Sequence, residues 1–250
     1  MPLTAAPPSG RRESPSGRHA PPRTLIVELV GPAGAGKTAL LRALGRHHTG
    51  LRAGLSIDRV RYLPAISRHT LALLPTGIEV LRDDRRSLWP VMLHLIRLRT
   101  LPTVLAHEMA ARPAAIVLDE GPLFSLGRLS VFQRAHESRT RLGQAWQRQL
   151  DRWTRLLDVV IWLDAPDPIL AQRIRTRFKP HQVKDDPEQA VYEFLGRYRQ
   201  AYKEIRARVV SAGRTRMIDL DTSALSADQA VPLVLAALTA RPGPDSRPAR

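Results

Sequence analysis

Four apolar runs of strand character mark out the chain: TLIVELV (24–30), AAIVLDE (114–120), DVVIWLDAP (158–166) and RTRMIDLD (214–221). The middle two stay apolar for several consecutive positions, as strands buried on both faces do. A weaker strand is expected in GLSIDRVRYL, residues 54–63. After the first run, ALLRAL has helical spacing. Asp167-Pro168 and Asp186-Pro187 each set an N-cap residue before a proline suited to the first helical position, so helices are expected to open there. Ser226 and Gln229 have the spacing of a capping box at the head of SADQAVPLVLAAL. Strands alternating with helices read as βαβ units. The predicted fold class is α/β, a three-layer doubly wound parallel sheet, and no internal repeat is visible.

Composition fixes the limits of that picture. With 250 residues, 43% of them hydrophobic, the chain can bury one substantial core. Residues 1–23 are dominated by proline, serine, glycine and arginine and are expected to form a disordered tail, as is RPGPDSRPAR at 241–250. The folded unit is expected to span 24–240. There is no cysteine, which excludes disulfides and thiolate metal sites. No apolar run approaches the roughly 18 residues needed to cross a bilayer, and the first 23 residues lack the apolar segment of a signal peptide. A cytoplasmic location is therefore expected. The formal charge of +16 suits an anionic partner. Aromatic residues make up only 5% and are not interleaved with basic ones, so nucleic acid is not the expected partner. A solvated arginine-rich surface, with part of the charge serving phosphates, accounts for the balance.

The chemistry begins directly after the first run. Gly31-Pro32-Ala33-Gly34-Ala35-Gly36-Lys37-Thr38 fits the P-loop pattern, a glycine, four residues, then Gly-Lys-Thr, between a strand and a helix. Glycines let successive N–H groups curl inward towards phosphate oxygens, and the helix from Lys37 through Ala39 adds its positive end. Lys37 is expected at the β and γ phosphates of ATP and Thr38 at Mg²⁺. Lysine is scarce here, with only four in the chain, so its place in the motif carries weight.

Two further segments complete the constellation. AAIVLDE is four apolar residues ending in acid, the Walker B pattern, so Asp119 is expected to order Mg²⁺ with Thr38, or to take the acceptor's proton, with Glu120 beside it. RIRTRFKPHQVK, residues 173–184, gathers Arg173, Arg175, Arg177, Lys179, His181 and Lys184. Arg173 and Arg177, four apart, are expected on one helical face. A basic flap of this kind would neutralise a migrating phosphoryl group and exclude water.

The order of these parts, GPAGAGKT, IVLDE, VVIWLDAP with an arginine-bearing segment, then IDLDTS, resembles the P-loop nucleoside and nucleotide kinases, particularly the thymidylate-kinase-like group. The resemblance runs from about Thr24 to Ala240. It implies that residues 173–186 are the LID, that Arg173, Arg175 and Arg177 grip ATP phosphates, and that Asp221, Thr222 and Ser223 lie near adenine. Where such kinases place an acid followed by arginine, this chain has Asp119-Glu120-Gly121-Pro122. Acceptor-side candidates are Asp58, Arg59, Arg61, Arg82, Arg85 and Arg86.

The expected activity is an ATP- and Mg²⁺-dependent transfer of phosphate to a small molecule: a nucleoside, a nucleotide or another phosphorylated or acidic acceptor. A homodimer is compatible with that class. The second reading is a P-loop ATPase or switch in which Glu120 activates water and hydrolysis drives a partner.

Overall fold

The computed structural model describes residues 23–55, 57, 60–132, 140–178 and 180–239. The expected tails, apart from Arg23, and the candidates Asp58, Arg59 and Lys179 lie outside the described residues. Five parallel strands form one sheet in the order β2-β3-β1-β4-β5: β1 (Leu25–Val30), β2 (Leu51–Ala53), β3 (Ala115–Leu118), β4 (Val159–Asp164) and β5 (Arg216–Asp221). The second strand therefore precedes the run expected to form it. GLSIDRVRYL lies after β2 and ends in the first residue of a helix, and its Arg61 and Tyr62 belong to the turn before that helix.

Eight α-helices cover the two faces of the sheet among the described residues. They are α1 (Lys37–His47), α2 (Leu63–Asp83), α3 (Leu88–Met109), α4 (Pro122–Phe132), α5 (Arg141–Leu156), α6 (Asp167–Thr176), α7 (Glu188–Ser211) and α8 (Ala227–Thr239). Strand β1 shows why two layers are needed. Ile26 and Val30 enter a core built with α2 to α5 and the second half of α7. Val27 and Leu29 enter the other core, with α1, α6, α8 and the start of α7. The result is the three-layer arrangement read from the strand pattern. No described helix is long and apolar enough to cross a membrane.

The capping box forms as spaced: Gln229 N–H donates to Ser226 Oγ at 3.3 Å and Ser226 N–H to Gln229 Oε1 at 2.9 Å. The two proline caps shift by one residue in opposite senses. Helix α6 starts at Asp167 with Pro166 as its cap, and α7 starts at Glu188 with Pro187 as its cap. Arg199 of α7 binds the Asp167 carboxylate.

Strand β1 has β3 on one side and β4 on the other, so the connections diverge at its carboxyl end. That divergence opens a crevice beyond the strand ends, where doubly wound sheets take their ligands. The loop 31–36 leaves β1 at that point.

Candidate active site

Three glycines give the loop its shape. Gly34 (φ +83°) and Gly36 (φ +88°) take left-handed backbone conformations. A Cβ on Gly31 would sit 2.0 Å from the Leu163 carbonyl oxygen, so only glycine lets the loop pass this close to β4. Gly36 caps α1 without a side-chain bond, which leaves the helix's first N–H groups pointing into the crevice. Lys37 Nζ folds back across the loop and donates to the carbonyls of Gly31 (2.6 Å) and Pro32 (2.9 Å). Burial pushes its pKa down to about 8, against the pull of Asp119 and Glu120.

Strand β3 ends at Leu118, so Asp119 and Glu120 are both off the strand and diverge. Thr38 Oγ1 donates to Asp119 Oδ2 at 3.2 Å, joining the two expected metal ligands. Glu120 turns to α3: Arg97 Nη1 binds its carboxylate at 3.2 Å and Arg97 Nη2 donates to its carbonyl. Beneath them lies Glu28, fully buried in the middle of β1. Its two oxygens accept from the N–H groups of Leu123 (2.9 Å) and Phe124 (2.8 Å), anchoring the N-terminal turn of α4. Burial raises the Glu28 pKa to about 8, overriding the hydrogen bonds and Arg97, which favour the ionised form. At neutral pH this carboxyl is therefore largely protonated. Gly121 has no room for a side chain, since a Cβ would lie 2.6 Å from the Glu28 carboxyl carbon.

The basic segment divides into separate parts. Arg173 is in the last turn of α6 and donates to Gly34 O (3.4 Å), Thr222 Oγ1 (3.0 Å) and Thr222 O (2.6 Å), tying the phosphate loop to the segment after β5. Arg177 is not on the same helical face. It follows the helix with extended backbone (φ −66°, ψ 146°), because α6 stops at Thr176. Its charge acts on Lys37 and on His181. Arg175 is exposed and donates to Asp186 O at 3.5 Å. Thr222 is buried against Asp164 O, whereas Asp221 is exposed and accepts from Ser223 N–H. Arg199, missed in the sequence, braces this end of β4 by binding both Asp164 oxygens at 3.0 Å.

The residues expected on an acceptor side are placed apart from one another. Arg82, Arg85 and Arg86 are exposed at the α2–α3 junction, and Arg61 pairs with His107. Glu120 instead has Arg97 of α3 and Arg128 of α4 near it. Arg128 is half-buried, with Glu120, His94 and His181 within its electrostatic reach. His94 stands edge-on to Phe124 at 6.0 Å, and burial lowers its pKa to about 4, so it is neutral. His181 packs edge-on against Phe194 at 5.4 Å.

The crevice thus combines a glycine-rich loop carrying Lys37, the Thr38–Asp119 pair and the arginines Arg97 and Arg128 around Glu120. This is a P-loop α/β fold. No protein-family model and no curated protein matches the sequence. Among solved structures, deoxyadenosine kinase from M. mycoides with dCMP and dCDP bound is similar at 15% identity and a TM-score of 0.48, over 86% of this chain and 98% of that one. The same enzyme with dATP bound gives 15% and 0.47, over 86% and 100%. Shikimate kinase from Bacteroides thetaiotaomicron gives 12% and 0.44, over 86% and 98%. At these values the likeness is one of architecture.

Proposed function

We propose that the chain is an ATP-dependent phosphotransferase whose small-molecule acceptor carries an anionic group. The observation that carries this reading is the divergence of Asp119 and Glu120. Asp119 meets Thr38 of the phosphate loop, while Glu120 is held by Arg97 on the acceptor side. A glutamate that activates water for hydrolysis must stand free beside the γ-phosphate.

ATP phosphates fit the inward N–H groups of loop 31–38, with Lys37 released from its carbonyl partners to the β and γ oxygens. Thr38 and Asp119 are the oxygen donors that fit Mg²⁺, which supplies charge neutralisation when bound. An acceptor hydroxyl attacks the γ-phosphorus. The new O–P bond forms as the bond to the β–γ bridging oxygen breaks, ADP leaves, and the hydroxyl proton passes to a carboxylate at the end of β3. Arg177 faces the migrating group, and Arg97 with Arg128 holds the acceptor's own charge. Arg173 serves as a strut between loop 31–36 and Thr222 rather than as a free phosphate ligand.

Incubation with [γ-³²P]ATP and matched acceptors, each offered as a phosphate or carboxylate and as its neutral analogue, tests this. Label is expected on the anionic acceptors, and Arg97→Gln should raise acceptor KM about tenfold or more. Label released only as inorganic phosphate would overturn the proposal.

A further inference from the structure

A second concentration of positive charge lies outside the crevice, where α2, α3 and α5 meet. Helices α2 and α3 form an antiparallel hairpin. A Cβ on Gly77 would sit 3.3 Å from Met92 Sδ, so Arg99, seven residues further along α3, lies beside His69 and Thr70. Arg141 N–H at the start of α5 donates to Glu79 Oε1 at 3.0 Å. From there α5 runs back along α2, bringing Arg148 and Arg152 to the same level. Arg68 precedes His69 on α2.

The electrostatics agree with this placement. The charges that act on His69 are those of Arg68, Arg99 and Arg152, and the one that acts on Arg99 is that of Arg148; no carboxylate is among them. None of the four arginines has a hydrogen bond or ion pair among the described residues. His69 Nε2 is buried and has no hydrogen-bond partner among the described residues. Burial depresses the pKa of both His69 and the half-buried Arg99. Arg68, Arg148 and Arg152 are exposed, so the desolvation falls on His69 and Arg99, and like charges gathered around these two are unfavourable unless a counter-charge joins them. Guanidinium groups approaching from three helices suit a tetrahedral oxyanion, which offers several oxygens in different directions, better than a single planar carboxylate.

We infer that Arg68, Arg99, Arg148 and Arg152 form, around His69, a binding site for a phosphate-sized oxyanion, either inorganic phosphate or a phosphate monoester. The site is separate from the phosphate loop. It shares α3 with the crevice: Arg97 reaches Glu120 from one side of the helix and Arg99 faces α2 from another.

The test uses the full chain with its phosphate loop saturated by Mg²⁺ and ADP, so that added phosphate cannot report on that loop. The His69 imidazole resonance, identified by its loss in His69→Gln, is followed by NMR during titration with inorganic phosphate and, separately, glycerol 1-phosphate, at constant ionic strength. A saturable shift with either ligand is expected, weakened at least tenfold in the Arg99→Gln and Arg152→Gln variants while their ADP affinity stays unchanged. A shift with phosphate identifies the free ion as sufficient; a shift with the ester alone identifies a phosphorylated metabolite. No saturable shift with either, or the same titration in the folded variants, would overturn the site.

Discussion

Thr38 Oγ1 and Asp119 Oδ2 lie 3.2 Å apart although 81 residues separate them in the chain. The sheet brings them together: β1 and β3 are hydrogen-bonded neighbours in parallel register, so the residues that follow each strand emerge at the same end. Removing this carboxylate should therefore act on chemistry more than on folding. Asp119→Asn is expected to reduce phosphoryl transfer by about 10²-fold or more with little change in melting temperature. The check is steady-state kinetics beside a thermal melt.

Lys37 gives a pH-dependent signature. Its pKa is lowered to about 8, chiefly by burial, and incoming phosphates would raise it again. ATP binding should therefore take up about half a proton at pH 8 and close to one at pH 9, falling towards none at pH 6.5 where the lysine is already charged. Calorimetry in buffers of different ionisation enthalpy measures this, and the uptake should vanish in Lys37→Met.

Glu28 gives the opposite dependence, on stability. Its pKa is raised from 4.5 to about 8, so the folded state keeps a proton that the unfolded state releases. Its contribution is fully present below pH 4.5 and is lost as pH rises through 8, with a slope of at most ~1.4 kcal/mol per pH unit. Glu28→Gln should remove that slope. Denaturant unfolding between pH 5 and 8 should show the variant gaining on the wild type as pH rises.

The two arginines of the basic segment should separate in kinetics. Arg173→Gln unties Gly34 from Thr222, so ATP KM should rise about tenfold and the melting temperature should fall by a few degrees. Arg177→Gln should lower kcat about 10²-fold with ATP affinity and stability nearly unchanged. Equal effects on KM and stability would remove the distinction.

The parts legible in the sequence are those written locally. The phosphate loop is a contiguous motif between a strand and a helix, and β3, β4 and β5 are dense apolar runs. The capping box of Ser226 and Gln229 is likewise contained in four residues. Strand β2 was misplaced because only Leu51–Ala53 pairs with the sheet, at an edge, where neither length nor alternation gives a signal. Arg97 lay hidden in LHLIRLRTL, because α3 is apolar on nearly every side and offers no polar face to orient it. Within the run TLIVELV nothing marks Glu28 as functional. Its role depends on α4, which begins 94 residues later, and no local pattern records that. Arg177 was misjudged for the reverse reason: i, i+4 spacing implies a shared face only where the helix continues, and α6 ends one residue earlier.

Single-turnover ATP cleavage without acceptor, measured on wild type and Glu120→Gln beside nucleotide retention, tests the transferase reading most directly. With Glu120 held by Arg97, the wild type should cleave ATP slowly and Glu120→Gln should release it as readily as the wild type does. Rapid wild-type hydrolysis, with ATP trapped on Glu120→Gln, would contradict it and make the protein an ATPase.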